Sequence, residues 1–170
     1  MLLSNGILAG ATAAILIGIG ATLVMDGWAA VQKRVFAVPS LDYGLVGRWI
    51  GHFPGGHFIH ESIRKASPVR CEAVIGWAAH YAIGIVWAGI LLGVWGLDWA
   101  RQPTLLPALI VGIGTILGPF FIMQPAFGIG VAASNLPEPW TARFFSFVAH
   151  TSFAVGLYVS ALLLAWVARL

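Results

Sequence analysis

Charged side chains are scarce in this sequence. Asp, Glu, Lys and Arg together make up 9 % of the residues, whereas apolar residues make up 59 %. A typical soluble domain is about 25 % charged. So few charges could not keep the surface hydrated, and we therefore expect a lipid bilayer to solvate most of it. A nucleic-acid partner is not expected, because such a surface needs clustered basic residues on a solvated face.

Cysteine is nearly absent, since Cys71 is the sole residue of this type. A lone thiol excludes an internal disulfide and any CxxC relay, and with them the thiol oxidases of the four-helix membrane type. The simplest interpretation of Cys71 is a small, partly buried apolar side chain.

Long apolar runs are abundant. A membrane-spanning helix needs about 20 consecutive apolar residues. Runs of this length predict four transmembrane helices, at about residues 6–31, 73–97, 105–123 and 144–167, with a cytoplasmic loop at about 32–72. No basic residue precedes the first run, which argues for a retained helix rather than a cleaved signal peptide. The predicted fold is a single all-α membrane domain, a four-transmembrane-helix bundle.

The distribution of Lys and Arg predicts the orientation in the membrane. Basic residues are retained preferentially on the cytoplasmic side. One side carries Lys33, Arg34, Arg48, Arg64, Lys65, Arg70 and Arg143, and the other only Arg101 and Arg169. This bias predicts a multi-pass protein of the bacterial cytoplasmic (inner) membrane with both termini in the periplasm.

Short sequence matches suggest an internal repeat. Residues 17–20 (IGIG) and 111–114 (VGIG) occupy similar places in the first and third helices, and AAH at 78–80 resembles VAH at 148–150. Two hairpins of the same order would form a 2+2 parallel repeat. Gly- and Ala-rich helices also produce such matches by chance, so both alternatives stay open. Small residues at four-residue spacing predict close helix contacts; they are Gly6, Gly10, Ala14, Gly18, Gly89, Gly93, Gly114 and Gly118.

Polar side chains lie at similar predicted depth in all four helices. Asp26, His80 and His150 are seven or eight residues from a charged helix end, or roughly 10–12 Å inside. Met123 and Gln124 end the third helix on the same side. A carboxylate at a helix centre costs about 2.5–3.5 kcal/mol, so these groups are expected to face the bundle interior. They predict a buried site for haem b or a transition metal ion; alternatively, each polar group only ties helices together.

The long loop holds two further candidate features. Residues 40–51 have Leu41, Leu45 and Trp49 at helical spacing, which predicts a short amphipathic helix at the membrane interface. Four potential metal ligands then follow within ten residues: His52, His57, His60 and Glu61. Their spacing matches no established zinc motif, and polar loop surface is the simpler interpretation of these residues.

Several segments together resemble a known family. They are GATLVMDGW, SLDYGLVGRWIGHFPGGHFIHESI, GWAAHYAIGI, PFFIMQPAFGIGVAAS and FVAHTSFAVGLY. In this order they resemble the bacterial family catalogued as domain of unknown function 2938, over nearly the whole chain. The resemblance implies a small multi-pass membrane protein and no particular activity. Asp26, Arg48, His52, His60, His80, Gln124 and His150 fall inside the matching stretches.

Three functions are consistent with the sequence. The first is a redox protein in which His80 and His150 hold haem or a metal, with Asp26 and Gln124 around them. The second is a carrier of a small solute or of protons, which the irregular Gly- and Pro-rich segment after helix three would fit. The third is an accessory subunit without chemistry of its own. The sequence ranks the redox hypothesis first, and it predicts lipid contact and either a homodimer or a larger membrane complex.

Overall fold

The computed structural model describes residues 6–38 and 40–169, and within them the chain is helical without strands. Four helices are long and apolar enough to cross a membrane: Ile7–Phe36 (α1), Glu72–Arg101 (α3), Leu105–Ala126 and Pro139–Val167 (α6). The predicted all-α architecture with four apolar helices is therefore confirmed. The helix ends lie up to five residues outside the predicted ones, because charged residues such as Lys33 and Arg34 continue the helical backbone.

The chain divides into two compact units. Unit 1 comprises Met1–Pro39, Tyr81–Thr115 and Val148–Leu170, and unit 2 comprises Ser40–His80 and Ile116–Phe147. Unit 1 therefore holds most of the apolar helices, and unit 2 holds the long loop and the irregular segment before α6.

Small residues let the helices of unit 1 approach one another closely. A Cβ added at Gly18 of α1 would lie 2.5 Å from the Cα of Ile85 in α3. A Cβ at Gly112 would likewise overlap Ala154 of α6. The predicted contacts at Gly6, Gly93, Gly114 and Gly118 are wrong, because a Cβ at any of these positions would meet no described atom within 4 Å.

The core of unit 1 is apolar and rich in alanine. Its buried members are Ala13, Ala14, Ile17, Ala21, Ala88, Leu91, Leu92, Trp99, Ala100, Ala108, Val111, Phe153, Leu157, Ala161 and Leu164. The outward faces are also apolar, with Leu23 of α1 56 % exposed and Leu163 of α6 59 % exposed. Apolar side chains on both faces are typical of helices surrounded by lipid rather than water.

The third apolar helix is broken, whereas the sequence predicted a continuous helix over 105–123. A regular part, Leu105–Gly114 (α4), is followed by a π-helical segment at Pro119–Met123 and a short turn at Gln124–Ala126 (α5). Pro119 has no N–H for the helical ladder, and its ring crowds the preceding turn. The backbone N–H of Gln124 bonds the carbonyl of Pro119, which closes the wider π turn.

Unit 2 begins with the helix Tyr43–Gly51 (α2), which starts three residues later than predicted. Asp42 caps it, since its carboxylate accepts from the N–H of Gly44 at 2.9 Å. Leu41 therefore precedes the helix and is 45 % exposed, whereas Leu45 is buried. The helix was predicted correctly, and its place at the membrane interface stays a prediction.

Two glycines allow α2 to lie directly on the first turns of α3. A Cβ at Gly47 would fall on the carbonyl oxygen of Glu72, and a Cβ at Gly76 would fall on the carbonyl oxygen of Tyr43. Just before α3, Cys71 has a φ of 61°. Its side chain is exposed and free, which differs from the partly buried position that the sequence suggested.

Candidate functional site

Asp26 and Tyr81 connect α1 to α3 in unit 1. The Tyr81 hydroxyl donates to Oδ2 of Asp26 at 3.0 Å, and both side chains are partly buried. The predicted inward orientation of Asp26 therefore comes with a phenol partner that the sequence analysis did not identify.

His150 of α6 contacts the end of α4 in the same unit. Its Nδ1 lies 2.6 Å from the hydroxyl oxygen of Thr115, which is buried. The same hydroxyl lies 2.5 Å from the carbonyl oxygen of Gly112. Thr115 follows directly after the last residue of α4, so the imidazole bonds the helix where its regular part ends.

Helical geometry places these two pairs on neighbouring faces. A Cβ at Gly84 would fall on the Thr22 hydroxyl and lie 3.6 Å from the ring of Phe153, so α1, α3 and α6 meet there. Side chains three or four residues apart share a helix face. Asp26 lies four residues after Thr22, Tyr81 three residues before Gly84, and His150 three residues before Phe153. Each of the three therefore lies one helical turn away from this meeting point, on the same face of its helix. We call these residues, together with Thr115, the polar layer.

His80 lies among aromatic side chains of unit 2. Its Nε2 is 2.9 Å from the Tyr43 hydroxyl, and its ring stacks on that of Tyr43 with centroids 4.1 Å apart. The Trp77 ring lies 4.5 Å from the Tyr43 ring. The Nε2 atom that a haem iron would need is therefore hydrogen-bonded to a hydroxyl. Shared ligation of one cofactor by His80 and His150 stays a prediction.

Met123 and Gln124, the remaining members of the predicted set, also belong to unit 2. Met123 packs against the apolar core of this unit, which includes Phe127. Gln124 is buried, and its Oε1 has no hydrogen-bond partner in the described part of the chain.

Two of the loop histidines form a hydrogen-bonded pair, and metal binding by the loop stays a prediction. Nδ1 of His52 lies 2.7 Å from Nε2 of His60, and Nε2 of His52 lies 3.0 Å from the carbonyl oxygen of Ser67. His57 and Glu61 are exposed. Across residues 6–38 and 40–169, no three His, Cys, Asp or Glu side chains are arranged to hold a metal ion. Burial lowers the pKa of His60, and a positive charge on His52 would lower it further.

An ion pair that the sequence analysis missed stabilises the loop of unit 2. Arg48 binds both carboxylate oxygens of Glu72, through Nε at 2.9 Å and Nη2 at 2.8 Å. Its Nη1 also donates to the carbonyl of Ala66 at 3.2 Å. The hydrogen bond to Glu72 raises the pKa of Arg48. Arg48 is largely buried, with 13 % of its side chain exposed.

The missed partners share a property that explains why they were missed. Tyr43, Tyr81 and Thr115 are neutral hydroxyl residues in apolar segments, and nothing in their local sequence distinguishes them from packing residues. Only Tyr81 could have been noticed from the local sequence, because it lies next to His80. Each contacts a titratable side chain at least 35 positions away in the chain, so only the packed structure reveals it.

Comparison with known proteins gives one family match. The family model described as protein of unknown function (DUF2938) matches residues 15–164. The chain therefore belongs to this family, as the sequence motifs predicted. No curated protein matches the chain, and no solved structure does.

Proposed function

We propose that this member of the DUF2938 family is an integral membrane protein that translocates protons through the polar layer. The supporting observation is that Asp26 and His150 are each hydrogen-bonded to a hydroxyl. A hydroxyl both donates and accepts, so it can remain bonded to a neighbour that gains or loses a proton.

The pair of Asp26 and Tyr81 illustrates this property. When Asp26 is ionised, the phenol donates to its Oδ2 across 3.0 Å. When Asp26 is protonated, the carboxylic acid can donate to the phenol oxygen instead. Neither state leaves a polar group without a partner, which would be costly in an apolar environment.

The Thr115 hydroxyl likewise allows His150 to stay hydrogen-bonded in either protonation state of Nδ1. If the Thr115 hydroxyl donates to the carbonyl of Gly112, it accepts from an Nδ1–H of His150. If Nδ1 carries a lone pair, the hydroxyl can turn and donate to it. The first arrangement uses both observed contacts, at 2.5 Å and 2.6 Å, and the second uses only the contact of 2.6 Å with His150. His150 can therefore change protonation or tautomer by rotation of a single hydroxyl.

Ionisable groups inside membrane helices are rare and most often functional. A structural role alone would be met by Ser or Asn, without a carboxylate that costs about 2.5–3.5 kcal/mol at a helix centre. The carrier hypothesis therefore replaces the redox hypothesis as the first candidate, since the Nε2 of His80 is already bonded to Tyr43.

We further propose that α1–α3 and α4–α6 are two copies of one hairpin. Gly18 contacts the backbone of Gly84 and Ile85, which lie four and five residues after His80. Gly112 contacts Ala154, which lies four residues after His150. Equivalent glycines thus meet equivalent positions, as expected for a 2+2 repeat.

The placement in the cell is likewise a proposal. The excess of Lys and Arg in the long loop supports a cytoplasmic location for this loop in the inner membrane, with α2 at the interface and the termini in the periplasm. Residues 1–5 and 170 of those termini lie outside the described residues. Four helices make a small carrier, so we expect a homodimer in the bilayer.

Reconstitution tests the proposal. Purified protein is placed in liposomes that contain a trapped pH-sensitive dye, and a potassium gradient with valinomycin sets the membrane potential. We expect the potential to drive proton uptake above that of protein-free liposomes. Asp26→Asn and His150→Gln should each reduce the uptake by about tenfold or more. Asp98→Asn is the matched control, because the Asp98 side chain is 88 % exposed and pairs with Arg101 outside the polar layer.

Two results would contradict proton translocation. One is uptake by the wild-type protein no faster than by empty liposomes, which would favour an accessory subunit. The other is equal loss of uptake in Asp98→Asn and Asp26→Asn, which would indicate general leakage or misfolding.

A further inference from the structure

The long loop of unit 2 carries cations that have no counter-charge. Arg64, Lys65 and Arg70 are exposed, and none of the three forms an ion pair within the described part of the chain. Residues 57–70 hold these three basic residues against one acidic residue, Glu61, so the stretch has a net charge of +2 at neutral pH. Such a surface attracts anionic groups.

Arg48 fixes the inner side of this loop. Its Nη1 lies within hydrogen-bond distance of three carbonyl oxygens of the loop, those of Ile63 and Arg64 at 3.4 Å and that of Ala66 at 3.2 Å. Ile63 is 2 % exposed. The charge of Arg48 is itself offset by its bidentate pair with Glu72. The carbonyls therefore face a neutralised interior, and Glu72 is not available to the cations on the outer side.

Two apolar side chains of the same loop are also exposed. Phe58 is 56 % exposed and Ile59 is 78 % exposed. The backbone here is held in place, since Nε1 of Trp49 donates to the carbonyl of Phe58 at 2.8 Å and the N–H of His60 donates to the carbonyl of Ala126 at 2.9 Å. Apolar surface held in this way is stabilised when lipid rather than water covers it.

The proposed membrane location brings the bilayer surface next to this loop. The helix α3 begins at Glu72, two residues after Arg70. Its first turns already expose apolar side chains, with Val74 69 % exposed and Trp77 45 % exposed. Apolar side chains on a helix long enough to span a membrane belong in lipid. Arg70 is thereby placed at the level of the headgroups, where basic residues attract anionic lipids.

We propose that this loop binds the headgroups of anionic phospholipids, with its three exposed cations at the phosphates and with Phe58 and Ile59 at the acyl boundary. Charge complementarity favours an anionic lipid over a zwitterionic one. The exposed apolar pair favours a lipid over a free phosphate. The proposal rests on the membrane location proposed above. It is independent of proton translocation, because binding is measured without any flux.

Cys71 provides a local probe of this site. It is the sole cysteine of the chain, it is exposed and free, and it follows Arg70 directly. The full chain, labelled at Cys71 with an environment-sensitive fluorophore in neutral detergent micelles, is titrated with phosphatidylglycerol and in parallel with phosphatidylcholine. We expect a saturable fluorescence change with phosphatidylglycerol, with an affinity at least about tenfold higher than for phosphatidylcholine. Glycerol phosphate, which lacks acyl chains, should not compete at the same concentration.

Charge-matched variants locate the site. The double variant Arg64→Gln/Lys65→Gln should bind phosphatidylglycerol about thirtyfold more weakly. The control, Lys33→Gln/Arg34→Gln, removes the same charge from exposed positions of α1 and should leave the affinity nearly unchanged. Ile59→Ser keeps the cations and should weaken binding by about tenfold. All the replaced side chains are exposed, so the melting temperature should stay that of the wild type.

Three results would overturn the proposal. Equal affinities for the two lipids would exclude recognition of an anionic headgroup. Equal weakening in the two double variants would indicate attraction by net charge alone. Full competition by glycerol phosphate would indicate a site for free phosphate. A protein that binds phosphatidylglycerol as expected and takes up no protons would contradict proton translocation alone.

Discussion

The hydroxyl of Thr115 contacts two groups at once, Nδ1 of His150 at 2.6 Å and the carbonyl oxygen of Gly112 at 2.5 Å. A hydroxyl has a single proton, so it can donate to only one of them at a time. The protonation of His150 is thereby coupled to the orientation of a buried side chain at the end of α4.

Replacement of Thr115 tests this coupling. Thr115→Val keeps the branched shape and removes the hydroxyl, so proton uptake into liposomes should fall by about tenfold, the value of one lost hydrogen bond of about 1.4 kcal/mol. Thr115→Ser retains the hydroxyl and should transport at a rate near that of the wild type. Equal rates of proton uptake in Thr115→Val and Thr115→Ser would show that the Thr115 hydroxyl takes no part in proton translocation.

Gly76 should tolerate no side chain, because a Cβ there would fall on the carbonyl oxygen of Tyr43. We expect Gly76→Ala to lower the free energy of unfolding by about 1–3 kcal/mol through overpacking. The control is Gly93→Ala in the same helix, where a Cβ would meet no described atom within 4 Å. This change should be neutral or stabilising by up to about 1 kcal/mol, owing to the better helix propensity of Ala. Unfolding in a detergent titration measures both, and a similar loss in the two variants would contradict the close approach of α2 to α3.

Tyr43 contacts His80 through both its ring and its hydroxyl. Tyr43→Phe removes the 2.9 Å hydrogen bond and keeps the stacked ring. The expected loss of stability is about 1 kcal/mol, with little change in the fluorescence of Trp77, whose ring packs on that of Tyr43. Tyr43→Ala should lose more stability and also shift this fluorescence. If Tyr43→Phe and Tyr43→Ala lose the same free energy of unfolding, the contacts of the Tyr43 ring contribute nothing measurable to stability.

The Arg48–Glu72 pair should be specific for a guanidinium group. Lys cannot reproduce the fork that engages both carboxylate oxygens. We expect Arg48→Lys to lower the melting temperature of the detergent-solubilised protein, and Arg48→Ala to lower it by several degrees. Arg64→Lys, at an exposed position of the same loop, is the control and should leave the melting temperature unchanged.

Stability should fall in mild acid because of His60. Burial lowers the pKa of this imidazole in the folded state, whereas the unfolded chain titrates near the ordinary value of about 6.5. Below that pH the unfolded state binds a proton that the folded state excludes, so the free energy of unfolding decreases until the folded pKa is passed. Unfolding measured between pH 8 and pH 5 should show a shallower decrease in His60→Gln than in His57→Gln. Identical slopes in the two variants would contradict the role of His60.

The sequence by itself determined the apolar helices, the family and the inward position of several polar residues. Runs of about 20 apolar residues leave the backbone no alternative to helix in a lipid environment. Asp26 and His150 were identified for the same reason, since ionisable groups are conspicuous in such runs. The helix over 40–51 was also evident, although its start at Tyr43 depended on Asp42 acting as the cap.

Only the tertiary structure decided the partners. The hydroxyls of Tyr43, Tyr81 and Thr115 find His80, Asp26 and His150 because glycines allow particular helix faces to meet. Arg48 became a buried ion-pair partner because Gly47 brings α2 onto the first turn of α3. The break after α4 has one cause that is visible in the local sequence, Pro119. Its position also depends on packing against residues that are distant in the chain. Hydropathy reports where a residue sits relative to lipid, whereas the identity of a hydrogen-bond partner depends on contacts between positions distant in the chain.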